Sequence, residues 1–192
     1  MNKNIKRLLQ GLLFVLIIIG FICIGKQDFT KEIVDNEKFD SEYVNVNKDN
    51  VFKYVNAQDV YTKIKSGNIV LFLGFPSNKW SGYYANILNQ AAKESGINEI
   101  LYYNFKTDRD NKNATYQSIV LKLSNYISTL DDGTQEIFAP TLVIMKKGKI
   151  IAYDNETAIN IGNIKPEDYW NEFNTGIKLN NFKTMFNEYL NN

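Results

Sequence analysis

The chemistry open to this chain is set first by what it lacks. There is no histidine among its 192 residues and one cysteine, Cys23. Ser-His-Asp triads, Cys-His dyads and His-ligated zinc are therefore excluded. So are an intrachain disulfide and any Cys-rich metal site. Catalysis would have to draw on carboxylates, Lys, Tyr, Ser or Thr. The paired acids Asp108/Asp110 and Asp131/Asp132 lie in polar stretches without the spacing of a calcium loop, so they read as solvated loop carboxylates and not as metal ligands. "NAT" at Asn113 and "NET" at Asn155 match glycosylation sequons, read as chance occurrences. No cofactor is implied.

One polar and aromatic segment, Pro76-Ser77-Asn78-Lys79-Trp80-Ser81, sits at a strand-to-helix junction. It follows an apolar run, Asn68–Phe75, of strand length and continuous hydrophobicity, as expected for a strand covered on both faces. Pro76 breaks that strand, and Ser77 or Asn78 can cap a helix. Tyr84, Ile87, Leu88, Ala91 and Ala92 then recur at helical spacing until Gly96. Trp80 has two readings, a contact anchor if exposed or a packed turn residue.

Around this junction the pattern alternates strand and helix. Residues 51–55 read as a strand. The helix after it is capped by Asn56 and closed by Gly67. Residues 99–105 read as a strand, 106–113 as a polar loop and 114–130 as an amphipathic helix. Residues 131–138 are a further loop. Residues 141–146 and 149–154 form a hairpin turning at Lys147-Gly148. Pro166 suits a first helical position, and a last helix runs through Phe182, Met185, Phe186 and Leu190. The order β-α-β-α-β-α-β-β-α predicts an α/β domain with three parallel strands, an antiparallel hairpin and helices on both faces.

The N-terminus differs in kind. Lys3, Lys6 and Arg7 precede an apolar run from Leu8 to Gly25, at the short end of the roughly 17–25 residues that span a bilayer. An uncleaved signal anchor at 8–25 is the leading reading, with residues 1–7 a cytoplasmic basic flank. A cleaved signal peptide ending near Cys23-Ile24-Gly25 and a lipoprotein acylated on Cys23 are the alternatives. Each puts the rest of the chain on the extracytoplasmic side of a membrane. The abundance of Lys, Ile and Asn points to an AT-rich bacterial genome. Residues 26–50 read as a tether with a strand at 43–46, and residues 51–192 as the domain. A net charge of +1 gives no global field for nucleic acid.

The element order, "GFPSNKWSGYY" and "APTLVIMKKGKII" together resemble the thioredoxin superfamily over about residues 51–190. More weakly, the chain resembles the thioredoxin-like accessory proteins that Gram-positive bacteria anchor outside their membrane, some linked to bacteriocin export. The resemblance implies a thioredoxin-like fold, a central mixed β-sheet flanked by helices, here with an N-terminal transmembrane helix. It implies a cis peptide before Pro140 and places the two redox cysteines of active members at Asn78 and Ser81. An amide is no nucleophile and a hydroxyl does not exchange with a disulfide, so the thiolate chemistry of the family is lost. The buried acid of many thioredoxins falls at Phe72. What remains implied is binding. An extended protein or peptide segment would add beside Pro140, on a surface made of Pro76, Ser77, Asn78, Lys79, Trp80, Ser81, Ala139, Pro140 and Thr141. The expected function is that of a redox-inactive, membrane-anchored accessory factor in export or folding. The alternatives are an oxidoreductase relative with a residual or partner-dependent redox role, and a structural spacer.

Overall fold

A computed structural model describes residues 34–43, 45–157 and 164–191. The anchor segment at residues 8–25 lies outside the described residues. Among those described, no helix is long and apolar enough to cross a membrane.

The elements are α1 (Asp35–Glu42), β1 (Phe52–Tyr54), α2 (Ala57–Ser66), β2 (Ile69–Gly74), α3 (Lys79–Ser95), β3 (Ile100–Asn104), α4 (Lys106–Asp110), α5 (Ala114–Leu123), β4 (Thr141–Lys146), β5 (Lys149–Asn155), α6 (Pro166–Tyr169) and α7 (Glu172–Asn191). The strands form one mixed sheet in the order β1-β3-β2-β4-β5. β1, β3 and β2 run parallel, while β4 is antiparallel to β2 and to β5. This α/β architecture is compatible with a thioredoxin-like fold.

Strand alternation divides the core. Val70 and Phe72 point to one side of β2, Leu71 and Leu73 to the other. The first side packs α1, α3 and α7, the second α2 and α5. β2 is central and buried along its whole length, which accounts for its unbroken apolar sequence. Asn56 caps α2 by accepting from the Asp59 N–H at 2.9 Å.

Three expectations need correction. Residues 34–50 are not a tether: they form α1 and belong to the compact unit that begins at Val34. Phe39, Tyr43 and Val46 of this segment are buried, and no strand forms at Tyr43. Residues 106–110 form a short helix where a loop was expected. α5 ends at Leu123, not at 130. Its last turn tightens into i→i+3 bonds at Ser124 and Tyr126, and the Gln135 side-chain amide donates to the freed carbonyls of Ser124 and Ile127.

Candidate functional site

The junction between β2 and α3 is built by a turn. The Asn78 N–H donates to the Phe75 carbonyl at 3.1 Å, with Pro76 at the position where its fixed φ suits a turn. Asn78 then leaves the strand in an extended conformation and caps α3, its Oδ1 accepting from the Ser81 N–H at 3.3 Å. The same side chain does a second job. Its Nδ2 donates to the Ala139 carbonyl at 3.0 Å. The Ala139–Pro140 peptide is cis, as the resemblance implies. Asn78 thus ties the helix start directly to the loop that precedes β4.

Ser81 is fully buried, and its hydroxyl has no hydrogen-bond partner among the described residues. A Cβ on Gly74 would lie 3.2 Å from this hydroxyl and 2.7 Å from the Phe72 ring. Gly74 is therefore needed for the close approach of β2 to α3. Phe72, where the resemblance would place a buried acid, is fully buried and stacks on Tyr84 and Tyr102 with centroids 5.9 and 5.6 Å away.

The backbone beside Pro140 is already engaged. The Phe138 carbonyl accepts from Thr141 Oγ1 at 2.7 Å, the Ala139 carbonyl from Asn78, and the Pro140 carbonyl from the Glu156 N–H at 3.2 Å. Pro140 and Thr141 are both buried. An incoming strand would find these acceptors taken. Trp80 is also not the exposed anchor that one reading allowed. It is 6% exposed and packs against Tyr169 and Trp170, with centroids at 5.3 and 6.3 Å. Helix α6 covers it, an element whose packing role the local sequence does not announce.

What stays open lies on the other flank of the junction. Pro76, Asn78, Lys79, Gly82 and Tyr83 line a concavity of about 250 Å³, closed by Tyr43 and Asn45 and rimmed by Glu42 and Glu167. Lys79 Nζ sits 3.6 Å from Glu167, both exposed. Glu42 accepts from the Tyr54 hydroxyl at 2.7 Å. Ser77 is exposed nearby. Of the nine sequence-predicted residues, Pro76, Asn78 and Lys79 line this concavity. Trp80, Ser81, Ala139, Pro140 and Thr141 form its buried support. Glu42, Tyr43, Asn45, Gly82 and Glu167 were missed. The sequence carries only a weak signal for the first group, the apolar Phe39, Tyr43 and Val46 in a mostly polar segment, and of these only Phe39 lies in α1.

Beneath α3 lies a part-buried ionic cluster. Lys178 Nζ is 3.1 Å from Asp154 and 3.2 Å from Glu156, with Lys178 side-chain exposure of 13%. The Tyr84 hydroxyl donates to Asp154 Oδ1 at 2.6 Å. Burial and then the Asp154 charge hold the Tyr84 phenol well above its usual pKa. Burial alone would depress the Lys178 ammonium, but Asp154 and Glu156 outweigh it and raise its pKa.

No thiol exists among the described residues, since Cys23 lies outside them. Three of the four acids in the polar stretches are engaged within the protein. Asp108 accepts from Tyr103, Asp110 pairs with Lys106 and Arg109, and Asp132 accepts from Thr134. Among the described residues no cluster of three potential metal ligands occurs. The arrangement offers shape, hydrogen bonds and charge at a concave surface, with no thiol among the described residues. The chain matches no family model, and no curated protein is similar enough to count as a relative.

Proposed function

We propose that the chain is a redox-inactive member of the thioredoxin superfamily, held on the extracytoplasmic side of a bacterial membrane by residues 8–25. In this reading it binds a protein or peptide segment as an accessory factor in export or folding. The observation that carries the binding role is the open concavity at the start of α3, where active relatives keep their cysteines. Asn78 supports it in two ways: it caps the helix that a thiolate would otherwise use, and it secures the cis-proline loop. The binding face is moved from the Pro140 edge to the Tyr43–Tyr83 side, because the carbonyls at 138–140 are engaged internally.

Two experiments separate the parts of this reading. The full chain in lipid nanodiscs is screened against a displayed library of extended peptides, and enriched sequences are retested on Gly82→Leu. That substitution fills the concavity, since a Cβ at Gly82 meets only side-chain atoms at 3.8 and 3.9 Å. Loss of binding is expected; peptides that bind Gly82→Leu equally well, or no enrichment at all, overturn the binding role. The superfamily assignment is tested by Asn78→Cys with Ser81→Cys, which should gain insulin-reductase activity while the parent chain has none. Activity in the parent chain would instead favour a redox role.

A further inference from the structure

The opposite end of the domain has a different character. Hairpin β4–β5 turns at Lys147-Gly148, both with positive φ. The turn is clamped to the end of α2: the Gly148 N–H donates to the Gly67 carbonyl at 3.1 Å and the Lys147 N–H to Asn68 Oδ1 at 2.7 Å. A Cβ at Gly148 would collide with the Lys65 carbonyl, so only glycine lets the turn sit this close. The clamp brings Lys147 and Lys149 to the last turn of α2, which carries Lys63 and Lys65. Alongside, Tyr61, Lys65, Leu121 and Lys122 line a shallow concavity of about 310 Å³ between α2 and α5.

These five lysines are exposed, and none forms an ion pair among the described residues. No acidic residue occurs between Asp59 and Glu94, between Asp110 and Asp131, or between Glu136 and Asp154. The first 33 residues hold five of the 22 basic and two of the 21 acidic residues, so residues 34–192 carry 17 and 19, a net charge of −2. Uncompensated positive charge is thus gathered at one end of a slightly acidic domain. In its midst Leu121 is 75% exposed, the most exposed large apolar residue described.

We infer that this lysine-rich end, Lys63, Lys65, Lys122, Lys147 and Lys149 around Leu121, is a docking surface for an anionic phospholipid bilayer. Lysines contribute the charge attraction and lay their stems along apolar surface, while Leu121 enters the headgroup boundary. An exposed leucine among lysines fits a bilayer better than a nucleic acid, whose readers use arginine and stacking rings. Proximity rests on the anchored reading above. Only eight residues separate Gly25 from Val34, a reach of at most about 30 Å. Docking would leave the concavity at the start of α3, at the other end of β2, free for its partner.

The test uses the full chain with Cys23→Ala, so that Leu121→Cys carries the only thiol and takes an environment-sensitive dye. Phosphatidylcholine vesicles are compared with vesicles that also contain phosphatidylglycerol. A blue shift is expected only with phosphatidylglycerol, it should vanish in high salt, and the same dye at Ser77→Cys should not shift. Lys65→Gln, Lys122→Gln and Lys147→Gln should each weaken the anionic-lipid-dependent shift about fivefold. A dye at 121 that stays water-exposed with phosphatidylglycerol, or a shift that survives the three substitutions, overturns the docking surface. So does an equal shift with soluble polyphosphate in place of vesicles. Vesicle flotation reads the anchor separately. A chain that floats with neutral vesicles but shows no shift keeps the anchor and loses the docking surface. One that floats and shifts only with phosphatidylglycerol does the reverse.

Discussion

The side of the sheet that packs α1, α3 and α7 is filled with rings, and the side that packs α2 and α5 mostly with aliphatic chains. Phe39 stacks on Phe52 and Tyr43 with centroids 4.0 and 4.4 Å away, and Phe72 continues the stack toward Tyr102 and Tyr84. On the other side Val60, Ile64, Leu71, Leu101, Ile119 and Val143 dominate, with Tyr103, Phe105 and Tyr116 toward one end. The aliphatic side has separate tyrosine hydrogen bonds, from the Tyr103 hydroxyl to Asp108 and from the Ile137 N–H to the Tyr116 hydroxyl, whereas the ring side carries a more extensive polar network. Tyr43 and Tyr102 share a buried hydrogen bond of 2.9 Å, and the Asp154–Lys178–Glu156 cluster lies under Tyr84. Aliphatic packing tolerates rearrangement at nearly constant volume, whereas a satisfied polar network fixes one arrangement. The concavity at α3 belongs to the ring side, through Tyr43 and Tyr83. The stiffer half of the core therefore carries the surface that has to hold its shape.

The sharpest way to break this contrast is at Lys178. Lys178→Met leaves the part-buried Asp154 and the buried Glu156 without their cation and should cost about 3 kcal/mol in urea unfolding. Adding Asp154→Asn and Glu156→Gln should recover most of that loss, because the unpaired charge and not the missing contact is the penalty. The pH dependence follows from the same group. Lys178 and Tyr84 both hold their protons more tightly folded than unfolded. Their contribution is whole below about pH 10 and is lost as the pH rises past the unfolded values near 10. Stability should therefore fall as the pH rises above about 10, and Lys178→Met with Tyr84→Phe should flatten part of that fall. An unchanged slope in that double variant would remove the cluster from the account.

A second contrast uses neighbours on one strand. Phe72 and Leu71 are both fully buried but face opposite sides. Leu71→Ala should cost about 3 kcal/mol by leaving a cavity. Phe72→Ala should cost about 4 kcal/mol, since ring contacts add to the buried area. Equal losses would mean that neither the larger area of Phe72 nor its stacking adds to its contribution.

Much of the fold was readable from the sequence, and the limits are instructive. β2, β4 and β5 carry strong local signals, a continuous apolar run and a Lys-Gly turn, and the observed sheet follows them. The Asn56 and Asn78 caps were readable because a cap is a short-range interaction between neighbours. Three features were not, because each depends on residues distant in sequence. Trp80 has nothing near it to bury it; Tyr169 and Trp170, some 90 residues on, do so. The donation from Asn78 to Ala139 spans 61 residues. α1 has weak amphipathicity and a polar composition, and only the Phe39 pocket among Phe52, Tyr54 and Tyr102 gives it a place. The local chemistry of the site was therefore visible while its open side was not.

Asn78 separates capping from tethering. Asn78→Ala removes both functions and should cost about 1.5 kcal/mol. Asn78→Asp keeps an acceptor for the Ser81 N–H and suits a helix start, but it sets a carboxylate against the Ala139 carbonyl in place of an N–H donor. If capping dominates, Asp should be nearly as stable as Asn. If the tether to the cis-proline loop matters as much, Asp should fall to the level of Ala. Thermal unfolding of the three chains distinguishes these outcomes.

The smallest effects test whether the concavity has a cost of its own. Gly82 in α3 and Gly176 in α7 each weaken a helix interior by about 0.5–1 kcal/mol relative to alanine. A Cβ at Gly176 meets nothing within 4 Å, so Gly176→Ala should recover that amount with no other consequence. At Gly82 the nearest atoms would be the Tyr43 ring at 3.8 Å and the Asn45 amide at 3.9 Å, ordinary contact distances, so Gly82→Ala should stabilise by about the same amount. The two variants part only in binding. Gly82→Ala narrows the space between α3 and Tyr43, and peptide affinity should drop while stability rises. A Gly82→Ala chain that gains stability and binds unchanged would show that the glycine leaves room no partner uses. A chain that loses stability would show that Tyr43 cannot yield, and that the concavity is closed more tightly than its contacts imply.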